Sequence, residues 1–305
     1  MAWNPLRRKE PFAELSHSPP LLAGRYRIGV KIGKGSAAEV FAAIDMRSGE
    51  AVAVKRVALP SGLNATARAD WLARLQRESE LAQRLNHPDI LKVMHSGLGR
   101  HWAWMVMERV HGADLTRYTQ RQRLLPEPLV LRIGARLGSA LAHAHGQGIV
   151  HRDLKPANVL VDLVRGQLKL VDFGIARHED AQLTRTGMTL GTPSYMAPEL
   201  LAGDSASAAS DAYALGVMVY ELLCGRRPHQ ASSLGELLRA TSQQAPTPLS
   251  ALRPDLPVAV VHSVEQLLAR RPQDRPSELT AWAAELAGLA AVLARVLSPD
   301  AATRL

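Results

Sequence analysis

The most informative part of this 305-residue chain is His151-Arg152-Asp153-Leu154-Lys155-Pro156-Ala157-Asn158, with Asp172-Phe173-Gly174 downstream. The proline excludes a regular helix through the first stretch, so Asp153 and Asn158 belong to a loop. An Asp in a loop is usually a turn former. Here a second acid, Asp172, follows a strand pair predicted at residues 159–161 and 168–171. Carboxylate and amide oxygens suit Mg²⁺, and a carboxylate can accept a hydroxyl proton. The three residues are therefore candidates for a metal-assisted site.

The amino-acid composition is that of an ordinary globular protein, except that the net charge is +9. Hydrophobic residues make up 47% and charged residues 21% of the chain, as in soluble domains. Nucleic-acid binding would explain the charge, but the arginines are scattered and no aromatic residues interleave with them. The only compact basic cluster is Arg7-Arg8-Lys9. We expect no nucleic-acid partner, and a basic surface suited to acidic partners.

The cysteine content and the apolar segments of the chain indicate its cellular compartment. Cys224 is the sole cysteine, so no intrachain disulfide can form, and its apolar surroundings predict a buried side chain. The N-terminus lacks the apolar stretch of a secretory signal. The late apolar run at residues 282–297 is short and contains Glu285 and Arg295, which predicts a final packed helix. We expect no membrane partner and a cytoplasmic location.

The first third of the chain has the pattern of a small antiparallel sheet. Residues 1–23 are polar, basic and rich in proline, and we expect a flexible leader there. Strands are predicted at residues 26–31, 40–44, 51–57, 91–95 and 102–108. One long helix is predicted between the third and fourth strands, at residues 67–85.

The rest of the chain has helical periodicity. Apolar residues recur every three or four positions from Leu129 to Ala144, which predicts an amphipathic helix that ends at Gly146. Further helices are predicted at residues 208–224, 233–242, 258–270 and 277–297. The predicted fold class is α+β, with a small sheet-containing lobe, a larger mainly α-helical lobe and a cleft between them.

A glycine-bearing turn reads Ile32-Gly33-Lys34-Gly35-Ser36-Ala37-Ala38-Glu39-Val40. It connects two predicted strands, whereas dinucleotide-binding motifs and P-loops lead into a helix. Glycine lets the backbone approach phosphate oxygens closely because no side chain stands in the way. The turn is a weak signal by itself.

A lysine ends the buried strand Val52-Ala53-Val54-Lys55. A buried ammonium is costly unless it is paired. Glu78 and Glu80 on the following helix are the candidate partners, and they lie on different faces of it. Taken alone, a solvated surface lysine and glutamate would fit equally well.

Together these motifs resemble the eukaryotic-type serine/threonine protein kinases, and bacterial members in particular. Gly191-Thr192-Pro193-Ser194-Tyr195-Met196-Ala197-Pro198-Glu199 resembles the substrate-docking stretch of that family. The resemblance implies the two-lobed kinase fold for residues 24–290, with a first lobe at 24–107, a hinge at 108–112 and a second lobe at 113–290. Residues 291–305 would be a helix end and tail.

The resemblance also implies catalytic and metal-binding roles. Asp153 is the implied catalytic base, and Lys155 is the implied partner of the transferred phosphate. Lysine at that position is usual in kinases that act on serine and threonine. Asn158 and Asp172 are the implied ligands of Mg²⁺, with Mn²⁺ as the alternative metal.

ATP is the implied nucleotide. Lys55, held by Glu78, would position its phosphates. The implied nucleotide-binding residues are Ile32, Gly33, Lys34, Gly35, Ser36, Ala37, Ala38, Glu39, Val40, Ala53, Lys55, Met107, Glu108, Val110 and Leu160. Met107 would be the gatekeeper, and Glu108 and Val110 would offer hinge backbone groups. Ala38 departs from the family, which normally has a third glycine there, so we expect a stiffer turn.

The resemblance further implies supporting and regulatory residues. Glu199 is expected to pair with Arg275, and Asp211 to brace the catalytic loop, which is the stretch at residues 151–158. Arg152 and Arg177 would receive a phosphate on the loop that follows Asp172, where the candidate acceptors are Thr184, Thr186 and Thr189. A second copy of the kinase, in a transient homodimer, would phosphorylate Thr184 or Thr186.

The resulting prediction is a serine/threonine protein kinase that transfers the γ-phosphate of ATP to Ser and Thr hydroxyls of protein substrates. The alternative is a nucleotide-binding pseudokinase that acts as a scaffold. A small-molecule phosphotransferase is a third interpretation, but those enzymes lack the docking stretch that ends in Ala197-Pro198-Glu199.

Overall fold

The structure is a computed structural model that describes residues 21–35, 38–59, 62, 64–99, 102–173 and 193–297. Within its helices, the side chains of Arg74, Glu78 and Leu297 are outside the described set. The chain divides into two units. The sheet unit comprises the chain up to Arg84 together with Leu91–Val110. The helical unit comprises Leu85–Ile90 and His111–Leu305.

An antiparallel sheet of five strands, in the order β1-β2-β3-β5-β4, forms the sheet unit. The strands are β1 (Tyr26–Lys34), β2 (Ala38–Asp45), β3 (Ala51–Ala58), β4 (Val93–Leu98) and β5 (Trp102–Glu108). Each predicted strand is present, with ends that differ by up to three residues. Alternation places Val52 and Val54 on one face, where they pack with Tyr26 and Val106.

One long helix, α1 (Ala65–Arg84), belongs to the same unit. It begins two residues before the predicted start because Asn64 caps it: the Asn64 side-chain oxygen accepts a hydrogen bond from the Ala67 N–H at 2.8 Å. Leu75 and Ala82 are buried on its inner face. The strands and this helix confirm the sheet-containing part of the predicted α+β fold.

Seven helices are described in the helical unit. They are α2 (Glu127–His145), α3 (Pro198–Leu201), α4 (Ala208–Cys224), α5 (Leu234–Gln243), α6 (Leu249–Leu252), α7 (Val258–Leu267) and α8 (Leu279–Leu297). The four-residue helices α3 and α6 are too short to show periodicity, and the sequence pattern did not predict them. The long helices lie at their predicted places, which confirms the helical part of the fold.

Helix α4 forms the centre of this unit, and every residue from Ser210 to Cys224 is buried. It starts with a capping box, in which the Ser207 and Ser210 side chains bond each other's backbone N–H. Gly225 ends it in the left-handed conformation, at φ 71°, which favours glycine. Burial on every side explains why most residues of this helix are apolar.

Helix α7 ends at Leu267, three residues before the predicted end. The Arg275 side chain supplies the reason. Its guanidinium donates to the carbonyl oxygens of Ala269 at 2.8 Å and Arg270 at 3.1 Å. These bonds satisfy carbonyls that a longer helix would use itself.

A small sheet of β6 (Ala113–Asp114), β7 (Val159–Asp162) and β8 (Gln167–Leu170) completes the helical unit. Strands β7 and β8 form an antiparallel hairpin in which Val159 pairs with Leu170. The Leu170 N–H donates to the carbonyl oxygen of Asp89 at 2.7 Å. The buried Asp89 carboxylate also binds Arg136 of α2. The hairpin that follows the catalytic loop is thereby fixed to the helical core.

Helix α8 packs against α2 through Trp282, Leu286 and Ala290, which are buried. The Trp282 indole donates to the carbonyl oxygen of Ser263 at 2.9 Å. This confirms the predicted final packed helix. By length and composition alone, α8 is also apolar enough to cross a membrane over Leu279–Val296, of which 28% is buried.

Candidate active site

The catalytic loop starts at His151, whose side chain is fully buried. Its Nε2 donates to the carbonyl oxygen of Val171 at 3.0 Å, and its Nδ1 accepts from the Asp153 N–H at 3.3 Å. The ring packs against Phe173 with centroids 4.7 Å apart. Burial lowers the pKa of His151, so the ring stays neutral and can donate and accept at once. His151 therefore joins the start of the loop to the segment that carries Asp172.

Asp211 of α4 braces the loop backbone, as predicted. Its Oδ2 accepts from the His151 N–H at 2.7 Å, and its Oδ1 accepts from the Arg152 N–H at 3.0 Å. The His145 Nε2 donates to Oδ2 at 2.8 Å. Arg152 has φ 69°, a strained conformation for a residue other than glycine. The two backbone hydrogen bonds hold it there.

Asp153, Lys155 and Asn158 converge in the loop. The Lys155 Nζ lies 2.8 Å from the Asp153 Oδ2. The Asn158 Nδ2 donates to the Asp153 carbonyl oxygen at 2.8 Å and approaches the Asp153 Oδ2 at 3.3 Å. The Asp153 carboxylate is thus oriented by a cation and an amide. Their roles in catalysis stay predictions.

Asp172 follows the neighbouring strand. The Val171 N–H donates to the carbonyl oxygen of Asn158 at 2.9 Å, which extends the β7–β8 pairing by one step. Asp172 comes next, exposed and with φ 61°. Hence Asn158 and Asp172 lie at the same end of one strand pair.

The donor chemistry at this end fits Mg²⁺. The Asn158 amide nitrogen is engaged with Asp153, so the side chain can offer its oxygen to a cation, and Asp172 offers a carboxylate. Within the described residues, no group of three or more His, Cys, Asp or Glu side chains could hold a metal alone. Mg²⁺ suits such a partial set, because it usually takes one or two protein oxygens and completes its shell with phosphates and water.

The glycine-bearing turn lies between β1 and β2, as predicted. The Gly35 N–H donates to the Ala38 carbonyl oxygen at 2.7 Å. A side-chain carbon built on Gly33 or Gly35 would meet other atoms only at 3.5 Å or more, which is ordinary contact. Packing within the fold therefore does not require glycine at these two positions. A ligand that approaches the backbone closely would require it, because any side chain would stand in the way.

The flanks of this turn are polar. Glu39 pairs with Lys31 at 2.9 Å and with Arg56 at 2.7 Å, and these bonds lower the pKa of its carboxyl. Lys34 and Ile32 are exposed. Ser36 and Ala37 lie outside the described residues.

Lys55 stands on β3, where it pairs in register with Val40 of β2 and Met105 of β5. It is half-buried. Glu78 lies on α1, but its side chain is outside the described set, so the Lys55–Glu78 pair stays a prediction. Glu80 is exposed and accepts a hydrogen bond from Gln76 at 3.1 Å.

The predicted adenine-binding residues divide between the units. Ala53 and Met107 are buried and directly opposite each other on β3 and β5. The Glu108 N–H donates to the Lys92 carbonyl oxygen at 3.0 Å, and its carboxylate accepts from the Lys92 N–H at 2.7 Å. Val110 is half-buried at the end of the sheet unit. Leu160, on β7, belongs to the helical unit.

A family profile described as "Protein kinase domain" matches residues 26–287. The chain belongs to the protein kinase domain family. Serine/threonine-protein kinase pkn3 of Myxococcus xanthus is 37% identical over 87% of this chain and 50% of pkn3. The crystal structure of the Mycobacterium tuberculosis PknI kinase domain is 30% identical, with a TM-score of 0.69, over 90% of this chain and 100% of that one.

A third similar protein is Rad53 1-466, whose crystal structure is a complex with AMP-PNP. It is 25% identical, with a TM-score of 0.70, over 87% of this kinase domain and 66% of that chain. The first curated relatives are longer, and the match spans 36% to 58% of their length. These comparisons establish the bacterial-type serine/threonine kinase relationship and the two-lobed α+β kinase fold.

The predicted structural pair Glu199–Arg275 is present in the kinase domain. Two parallel hydrogen bonds of 2.6 and 2.8 Å join the guanidinium to the carboxylate, and the Arg275 side chain is fully buried. The guanidinium also lies over the Tyr213 ring, 5.0 Å from its centroid. This prediction is confirmed.

Sequence reasoning missed Glu221, a buried acid in the last turn of the largely apolar α4. It accepts a hydrogen bond from the Tyr195 hydroxyl and lies 3.5 Å from the Arg227 Nε. Burial raises the pKa of its carboxyl. An acid in a largely apolar helix is a signal that could have flagged it, because a buried acid needs a partner.

The predicted phosphate-accepting loop lies outside the residues that the structure describes. This segment, residues 174–192, contains Arg177, Thr184, Thr186 and Thr189. Their assignments stay predictions.

Proposed function

We propose that this chain is an ATP-dependent protein serine/threonine kinase that transfers the γ-phosphate of ATP to Ser and Thr hydroxyls. The observation that carries the proposal is the oriented carboxylate of Asp153. Lys155 and Asn158 hold it, and Asp211 fixes the loop backbone just before it. The family membership and the names of the similar proteins support the same activity.

In this mechanism Asp153 receives the proton of the attacking hydroxyl and steers that hydroxyl toward the phosphate. Lys155, beside it, balances the charge of the transferred phosphoryl group. Orientation contributes most, because phosphoryl transfer needs positioning and charge stabilisation rather than covalent help.

ATP and Mg²⁺ are the proposed ligands. Asn158 and Asp172 would hold Mg²⁺, which when bound neutralises phosphate charge. Lys55 would position the phosphates with Glu78 as its partner, and the backbone of the turn at residues 32–40 would cover them. Ala53, Met107, Glu108, Val110 and Leu160 would form the adenine site.

Regulation and location complete the proposal. Phosphorylation of Thr184 or Thr186 by a second copy of the kinase, with Arg152 and Arg177 as receptors, would raise activity. Residues 24–290 would be the catalytic domain, and the enzyme would act on proteins in the cytoplasm.

Incubation of the purified chain with labelled ATP, Mg²⁺ and a generic protein substrate tests the activity. We expect phosphate on Ser and Thr of the substrate and of the kinase itself. Asp153→Asn should reduce turnover by about 10²- to 10⁴-fold while nucleotide binding persists. Nucleotide binding without any transfer by the wild type would support the pseudokinase instead, and transfer to small molecules alone would support the small-molecule phosphotransferase.

A further inference from the structure

A basic surface in the helical unit is formed by Arg121, Arg226 and Arg227, which we call the arginine cluster. Gly225 brings its two chain segments together. A side-chain carbon built on Gly225 would lie 2.8 Å from the Arg121 Cγ and 3.1 Å from the Arg121 nitrogen. Arg226 and Arg227 follow Gly225 directly, so the three arginines share one region of the surface.

The arginine cluster borders the catalytic loop by two routes. Tyr195 lines the same small cavity as Asp153, and its hydroxyl binds Glu221, which also pairs with Arg227. On the second route, the 3-10 helix Leu115–Tyr118 contacts both the 3-10 helix that Arg121 begins and the one that ends at Asn158.

Two of the three arginines, Arg121 and Arg226, have no side-chain partner among the described residues. The Arg121 and Arg226 side chains are exposed, and the described part of the chain offers neither an ion pair nor a hydrogen bond to either guanidinium. Arg227 is the exception, because it pairs with Glu221.

The acids of the same region are already engaged. Glu221 has the Tyr195 hydroxyl and Arg227 as partners. Glu127 and Asp255 both pair with Arg253. Asp114 accepts the Thr116 N–H at 3.0 Å. The region beside the catalytic loop therefore presents an excess of positive charge to an incoming peptide.

We propose that the arginine cluster selects protein substrates with acidic residues close to the Ser or Thr that is phosphorylated. This rests on the proposed kinase function and names its substrate class. Guanidinium groups bind carboxylates and phosphates through paired, charge-assisted hydrogen bonds. A basic peptide would meet like charge, and it would have to displace Arg227 to reach Glu221.

Three peptides test the proposal. They share one Thr acceptor and differ only in flanks of Glu, Gln or Lys. We expect the wild type to phosphorylate the Glu peptide with the highest kcat/KM and the Lys peptide with the lowest. Added salt should narrow the difference, because exposed charges are screened.

Substitutions identify the residues responsible. Arg121→Gln and Arg226→Gln should each reduce kcat/KM for the Glu peptide about two- to fivefold. Neither substitution should change kcat/KM for the Gln peptide, which serves as the control for folding. Arg295→Gln on α8 removes another exposed arginine, far from the cluster in the chain, and should leave kcat/KM for all three peptides unchanged. The double variant Arg121→Glu/Arg226→Glu should favour the Lys peptide.

Equal kcat/KM for the Glu and Gln peptides in the wild type would overturn the inference and leave the kinase activity intact. So would a preference for Glu that survives the double reversal in a variant active on the Gln peptide. If the wild type phosphorylates no peptide and no protein, the proposed function itself is wrong, and the inference is wrong with it.

Discussion

The carbonyl oxygen of Asn158 accepts a hydrogen bond from the Val171 N–H at 2.9 Å, so the residue after Val171, Asp172, lies at the same strand end as Asn158. A backbone bond therefore sets the register of the two proposed metal ligands. Their side chains can be changed without breaking that bond.

Asn158→Ala should weaken the response to Mg²⁺. It removes one proposed oxygen ligand and the amide that holds Asp153, and a hydrogen bond of this kind is worth about 1 kcal/mol. We expect the free Mg²⁺ concentration for half-maximal activity to rise about tenfold or more, with kcat reduced as well. Asn86→Ala, at an exposed asparagine, is the matched control. An unchanged Mg²⁺ response would contradict the metal assignment.

Asp211→Ala should affect activity and stability together. The change leaves the His151 and Arg152 N–H groups without their acceptor, and hydrogen bonds to a charged group are worth about 1.5–3 kcal/mol each. Urea unfolding should show a loss of about 3 kcal/mol or more, and kcat should fall further than the KM for ATP changes. Asp204→Ala, at an exposed aspartate, should leave both quantities unchanged.

Arg275→Met should destabilise the kinase domain by about 3–5 kcal/mol, because it leaves the largely buried Glu199 carboxylate without its cation. Arg271→Met is the comparison, since Arg271 forms an exposed pair with Asp274. That variant should lose less than about 1 kcal/mol. Similar losses in the two variants, measured by urea unfolding, would show that burial of the first pair is unimportant.

Two identical changes in helices should have opposite signs. Gly216→Ala in α4 would place a carbon 2.6 Å from the Leu267 Cβ, and overpacking of this kind costs about 1–3 kcal/mol. Gly288→Ala in α8 would meet nothing within 4 Å and should stabilise by about 0.5–1 kcal/mol through helix propensity. Thermal unfolding of both variants checks the signs.

Stability should fall in mildly acidic solution. Burial lowers the pKa of His151 and of His229 from the usual 6.5, so the unfolded chain takes up protons that the folded chain does not. The free energy of unfolding should therefore decline as the pH drops below about 6.5, by at most about 1.4 kcal/mol per pH unit for each histidine. His229→Gln should reduce the dependence of the free energy of unfolding on pH. An unchanged dependence would show that His229 does not contribute to it.

Features that depend on residues close together in the chain could be predicted from the sequence. Alternating valines located β3, and the spacing of Leu129 to Ala144 located α2. The catalytic loop was found because its residues lie close together in the chain. Asp211 and Arg275 are distant from their partners, and only the family resemblance assigned them.

Other features had no local signal or depended on distant side chains. The end of α7 is set by Arg275, which bonds carbonyls beyond the last helical residue. The Tyr195–Glu221 contact joins residues 26 positions apart. Asn64 is a cap that could have been recognised, since an asparagine before a helix is a common start signal.

The attachment of the catalytic loop to Asp211 has a consequence for the history of this protein. One carboxylate on the central helix belongs to the folded core and also holds the loop of the proposed reaction centre, so a change in one affects the other. Substitutions that shift α4 slightly should reduce turnover in variants that still fold. Selection on activity would then keep the interior of the helical unit conserved more strictly than packing alone demands.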